Sequence, residues 1–135
     1  MTYKKSLSNF FKEYIKLLVK EDYKLKVDLT YSYHTKSEKV SRKWIKNLKQ
    51  YLESKNVRME GIYVNELNKS YELHNHCLIW VDCDWSYGKS LIFNYWKKIG
   101  SLKVDKYNNE LNYTDYMVKH INYNESNNYE FIESL

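Results

Sequence analysis

Between residues 24 and 106 the spacing of apolar side chains switches four times between a two-residue and a helical period. That succession limits the fold more than any single residue does. KLKVDLTYSYH (24–34) alternates, with Val27, Leu29, Tyr31 and Tyr33 on one face and Asp28, Thr30, Ser32 and His34 on the other. Thr35 or Ser37 then caps a helix that runs to about Lys55. Its apolar stripe is Val40, Trp44, Leu48, Tyr51 and Leu52, opposite a face of Lys39, Arg42, Lys43, Lys46 and Lys49. Two strand patterns follow, 57–67 and 71–82, and the three residues between them, Asn68-Lys69-Ser70, read as a hairpin turn. Asp84 or Ser86 caps a second helix over 87–99, packed through Leu91, Ile92, Tyr95, Trp96 and Ile99 and closed by Gly100. Ser101–Lys106 is a short edge strand.

The order β-α-β-β-α-β predicts an α+β, ferredoxin-like domain, an antiparallel sheet with both crossover helices on one face. The other face is left for a site, whose nature the fold does not specify. Helical spacing also appears before and after this core. Residues 5–20 carry Phe10, Phe11, Tyr14, Leu17 and Leu18, and 111–123 form a last helix, followed by a polar, acidic tail over 124–135. With no internal repeat and no linker, residues 1–135 are expected to be a single domain with its core at about 24–123.

The hydrophobic fraction is 43%, a little low, but 15 Tyr and 4 Trp supply volume that aliphatic residues do not. No apolar run reaches bilayer length and the N-terminus lacks the order of a signal peptide, so a cytoplasmic protein with no membrane contact is expected. Cys77 and Cys83 match no metal or redox spacing, and Cys77 is expected in the core. The net charge of +5 is unevenly spread: residues 1–55 carry +8 and residues 56–135 carry −3. A basic half on a compact domain points to a polyanion, most simply nucleic acid, or else to an ordinary solvated lysine face.

Chemistry concentrates in ELHNHCLIW (72–80). His74 and His76 sit at i and i+2 of a strand and share one face, where two imidazoles can hold a divalent metal or a phosphate. If Leu67 pairs with Tyr71, Glu66 lies opposite Glu72 on the histidine face and becomes a candidate third ligand, with Glu72 as the spare. In the last helix, about 100° per residue puts Tyr116 and Lys119 side by side on one shoulder of the apolar stripe formed by Tyr113, Met117 and Ile121, with His120 between that shoulder and the stripe. A tyrosine nucleophile needs such a neighbour, because its phenol ordinarily ionises near about pH 10. Without these neighbours, paired histidines are more often hydrogen-bonded structural residues, and one tyrosine among 15 is ordinarily packing.

Together these stretches resemble the single-tyrosine HUH endonucleases, the catalytic domains of rolling-circle replication initiators (Rep proteins). That family shows a hydrophobic N-terminal strand, a His-hydrophobic-His strand and a late Tyr-x-x-Lys helix. Their counterparts here are VDLTYSYH (27–34), LHNHCLIW (73–80) and YMVKH (116–120). The chain departs from the pattern at Asn75, where the family has a core-facing hydrophobic residue, and at His120, where an aromatic often follows the lysine. A buried amide at 75 needs a partner.

The resemblance implies that His74, His76 and Glu66 bind Mg²⁺ or Mn²⁺, that Tyr116 attacks the scissile phosphate of single-stranded DNA, and that Lys119 neutralises charge there. The product would be a 5′-phosphotyrosine and a free 3′-hydroxyl. His34, Lys39, Arg42, Lys43, Lys46 and His120 would contact the strand or an origin hairpin. A homodimer is expected by the same resemblance, with helicase and polymerase supplied by a host or virus. Tyr113 is the rival nucleophile. Three other readings compete: an HUH-class transposase, which would carry Tyr-x-x-x-Gln where this chain has His120; a nucleic-acid-binding module of the RNA-recognition type; and a structural ferredoxin-like dimer.

Overall fold

A computed structural model describes residues 24–32, 37–67, 72–107 and 129–135. The expected helices over 5–20 and 111–123, the turn at 68–70 and the side chain of His34 lie outside the described residues.

Five strands and two helices make up the described fold: β1 (Leu25–Leu29), α1 (Glu38–Ser54), β2 (Met59–Leu67), β3 (Leu73–Val81), α2 (Trp85–Trp96), β4 (Leu102–Lys106) and β5 (Tyr129–Phe131). The sheet order is β4-β1-β3-β2-β5, and the ladders that join neighbours are antiparallel. The first four strands thus take the ferredoxin-like order, reached by two helical crossovers. Among the described residues no helix is long and apolar enough to cross a membrane.

Alternation decides which face the helices cover. Leu25, Val27 and Leu29 of β1, Met59 and Tyr63 of β2, and Cys77, Ile79 and Val81 of β3 point one way into a single core. Ile45, Leu48 and Leu52 of α1 and Leu91, Ile92 and Trp96 of α2 pack against them. Trp96 is fully buried and satisfies its indole by donating from Nε1 to the Thr30 carbonyl at 2.9 Å. The stripe expected on α1 shifts slightly, since Ser41 and Ile45 are buried while Val40, Trp44 and Tyr51 lie at its margin.

The ends of the elements follow local chemistry. Asp84 caps α2 by accepting from the Ser86 backbone N–H at 3.1 Å, so the helix starts at Trp85, two residues earlier than the apolar spacing suggests. Helix α1 closes on Asn56, whose φ of 61° lets the chain leave the helix where no glycine is present. In β2, Gly61 has φ +146°, and a Cβ there would lie 2.1 Å from the Leu78 carbonyl oxygen. Only glycine fits.

Part of the stretch expected as a polar tail has regular structure: β5 pairs with the outer edge of β2, and Ile132, which follows it, is fully buried. Glu130 and Glu133 have partners on the body of the domain. Glu130 accepts from Tyr63 Oη at 2.6 Å and Arg42 Nε at 2.9 Å, and Glu133 accepts from the Gly61 N–H at 2.5 Å.

Candidate functional site

The face of the sheet turned away from both helices carries the histidines. Antiparallel pairing places Glu66 of β2 directly across from His74, and Asp28 of β1 directly across from His76. Residues opposed in this way share a face. The hairpin register therefore differs from the sequence expectation by two residues, with Leu67 paired to Leu73 rather than Tyr71. A two-residue slip leaves the facing unchanged, so Glu66 is on the histidine face as expected but opposes His74 instead of Glu72.

His76 sits between two carboxylates from two different strands. Its Nδ1 is 2.9 Å from Asp28 Oδ1, and its Nε2 is in direct contact with Glu66 Oε2. Lys26, two residues before Asp28 on the same face, reaches Asp28 Oδ2 at 3.2 Å. The His76 side chain is 10% exposed and the two carboxylates about a third. Burial works against the charged ring, yet hydrogen bonds and charge from Asp28 and Glu66 outweigh it and raise the His76 pKa above its ordinary value. For Asp28, burial pushes upward, but His76 and Lys26 prevail and lower its pKa. Each ring nitrogen of His76 thus faces one carboxylate.

Asp28 is the residue that sequence reasoning missed. A carboxylate at the centre of an alternating strand was visible on the polar face, but only the β1–β3 pairing sets it beside His76.

Among the described residues, no three His, Cys, Asp or Glu side chains are already gathered as metal ligands, and His76 has both ring nitrogens engaged. The donor set itself suits a divalent ion. Glu66 and His76 Nε2 meet, His74 occupies the position across from Glu66, and two imidazoles with a carboxylate form a common set for metals that keep open positions. Asp28 occupies the far nitrogen of the His76 ring, Nδ1, at 2.9 Å.

A family model for the replication-associated protein of the ORF2 type matches residues 24–121. The chain belongs to this family. The match runs from β1 through the histidine strand and, in sequence, takes in Tyr116, Lys119 and His120. No curated protein and no solved structure matches the chain. Family membership supports a replication-initiator role and, with it, DNA as a partner. Tyr116, Lys119, His120 and the rival Tyr113 lie outside the described residues.

In this replication-associated protein the other sequence candidates sit away from the histidines. Lys39, Arg42, Lys43 and Lys46 are exposed on α1 and line an open hollow with Asn47 and Gln50. Helix α1 packs on the opposite face of the sheet, so this basic surface does not border the Glu66–His76 site. Arg42 is tied to Glu130, and Lys49 reaches the backbone carbonyls of Glu133 and Leu135 at 3.4 and 3.2 Å. Lys39, Lys43 and Lys46 carry the rest of that surface.

Asn75, which breaks the hydrophobic pattern between the histidines, points into the core and is fully buried. It accepts from Tyr31 Oη at 2.6 Å and donates from Nδ2 to Asn65 Oδ1 at 2.6 Å. Asn65 Oδ1 also accepts from Ser41 Oγ of α1 at 2.7 Å. Burial drives the Tyr31 phenol well above its ordinary pKa, so it stays a donor. The amide that the sequence left without a partner has two, and through them the histidine strand is bonded to the first turns of α1.

Proposed function

We propose that this replication-associated protein nicks and rejoins single-stranded DNA at an origin, with Tyr116 as nucleophile and a divalent metal held by His74, His76 and Glu66. The observation that carries the reading is the convergence of Glu66 on His76 Nε2, on the sheet face bearing His74, in a chain of replication-associated ancestry. When bound, Mg²⁺ or Mn²⁺ would draw charge from the scissile phosphate. Glu66 and the two imidazoles would orient that phosphate on the open sheet face. The Tyr116 oxygen would form a bond to phosphorus as the bond to the 3′ oxygen breaks. The phenol proton would pass to solvent, and the departing oxygen would take a proton from solvent to become a 3′-hydroxyl. Lys119, one turn from Tyr116 in a helical reading of the sequence, would offset charge on the phosphate. The 5′-phosphotyrosine conserves the bond, so a 3′-hydroxyl can reverse the step. Unwinding and synthesis would fall to a helicase and polymerase of the host or virus.

The test is a nicking assay on labelled single-stranded origin DNA with Mn²⁺, resolved on a denaturing gel. A covalent adduct that needs metal and is lost in Tyr116→Phe is the expected result. An adduct that persists in Tyr116→Phe transfers the role to Tyr113. Binding without any adduct would replace the enzyme with a binding module.

A further inference from the structure

We propose that the outer crest of α1 grips the phosphate backbone of duplex DNA, on a surface separate from the sheet face read above as the seat of the single strand. The assignment stands on the charge and packing of α1 and needs neither Tyr116 nor a metal ion. Ser41, Ile45, Leu48 and Leu52 turn one side of the helix into the core. At about 100° per residue the opposite side carries Lys39, Lys43, Lys46 and Gln50, all exposed. With Arg42 and Asn47 these four line an open hollow. The lysines stand one helical turn apart, along about 10 Å of the axis.

A duplex fits this surface better than a single strand does. Each described residue that lines the hollow is a cation or a neutral amide, groups that bind phosphate oxygens. Neither a carboxylate nor an aromatic ring is among them, whereas proteins that hold single strands stack bases on aromatic side chains. Trp44, between Lys43 and Ile45 in the sequence, packs against the core and has Lys43 Nζ 5.4 Å from its ring centroid. The surface is also held in place: Ser41 Oγ donates to Asn65 at 2.7 Å, and Arg42 Nε donates to Glu130 at 2.9 Å. A fixed row of cations matches the fixed phosphates of a duplex, which presents one charge per about 1.7 Å of axis. A single strand would have to be ordered on this row without the stacking that offsets its lost freedom. Because the sheet lies between α1 and the histidines, a duplex held here would not occupy the histidine face. On the function proposed above it would be the flank of the origin beside the nicked strand.

The experiment follows the fluorescence anisotropy of a labelled duplex, and of one of its strands alone, with the full chain in EDTA over a range of KCl. Wild type is compared with the triple variant Lys39→Ala, Lys43→Ala, Lys46→Ala and with a Lys→Arg variant at the same three positions. The alanine variant is expected to lose about three units of log-log salt slope on the duplex, close to one per lysine, and to keep the wild-type slope on the single strand. The arginine variant should keep both slopes, because the contacts need the charge. A wild type that binds no duplex, an unchanged duplex slope in the alanine variant, an equal loss on both probes, or a loss in the arginine variant overturns the assignment. No nick is made in EDTA, so a failure of the nicking reading would show in the adduct assay and leave these slopes as they are.

Discussion

Replacing Asn75 with leucine matches the residue type expected of a His-hydrophobic-His strand, yet the structure predicts a loss of stability. Asn75 is fully buried, and its Oδ1 and Nδ2 serve Tyr31 Oη and Asn65 Oδ1, each at 2.6 Å. Leucine opens no cavity at this position, but the Tyr31 hydroxyl loses its Asn75 acceptor and Asn65 keeps only its remaining contacts, Ser41 among them. Losing one partner of a buried hydrogen bond costs about 1–3 kcal/mol per stranded group. We expect Asn75→Leu to cost about 2–3 kcal/mol after the gain from the apolar side chain. Tyr31→Phe alone should cost about 1 kcal/mol. In the double variant the hydroxyl that lost its Asn75 acceptor is gone as well, so its cost should fall short of the sum by about 1–2 kcal/mol. Urea unfolding of the four proteins closes the cycle, with a midpoint drop on the order of 1 M for Asn75→Leu. Additivity within about 0.5 kcal/mol would refute the argument, since uncoupled sites behave that way.

Two other outcomes follow from the geometry. The raised His76 pKa gives the metal-free protein stability that is present below about pH 6.5 and lost as pH rises through the folded value, while the lowered Asp28 pKa gives stability lost as pH falls below about 4. Thermal unfolding across pH should therefore show a contribution between those limits that disappears in His76→Gln; an unchanged profile would refute the pairing. Replacing Lys39, Lys43 and Lys46 with alanine should lower the salt dependence of DNA binding by about one unit of log-log slope per lysine that contacts phosphate. An unchanged slope would mean that DNA does not touch α1.

The alternation of Val27, Leu29, Cys77 and Ile79 and the helical stripes around Leu48 and Trp96 were enough to read the strand and helix order, because burial imposes those periods directly. The hairpin register was not readable in the same way. Alternation repeats every two residues, so pairing Leu67 with Tyr71 or with Leu73 satisfies it equally. The observed pairing brings the two buried amides, Asn65 and Asn75, directly opposite each other, and a two-residue slip would separate them. Asn75, the apparent flaw in the motif, thus marks the register. Asp28 was hidden for a related reason: its role depends on which strands are neighbours, and β1 and β3 are far apart in sequence. Segment 129–135 read as tail because it follows a polar, acidic stretch, but Glu130 and Glu133 find partners on α1 and β2 and Ile132 fills the core.

The sheet separates the lysines of α1 from the carboxylates of the histidine face by at least the thickness of a helix, about 10 Å. Exposed charges that far apart in physiological salt, where the screening length is about 8 Å, hardly sense one another through solvent. The two surfaces should then answer to different ions. Monovalent salt would tune the grip of the helix on phosphates while leaving the histidine face nearly untouched, and divalent ions would act on the histidine face in the opposite proportion. On the function proposed above, capture of a strand and chemistry on it would then be separately adjustable.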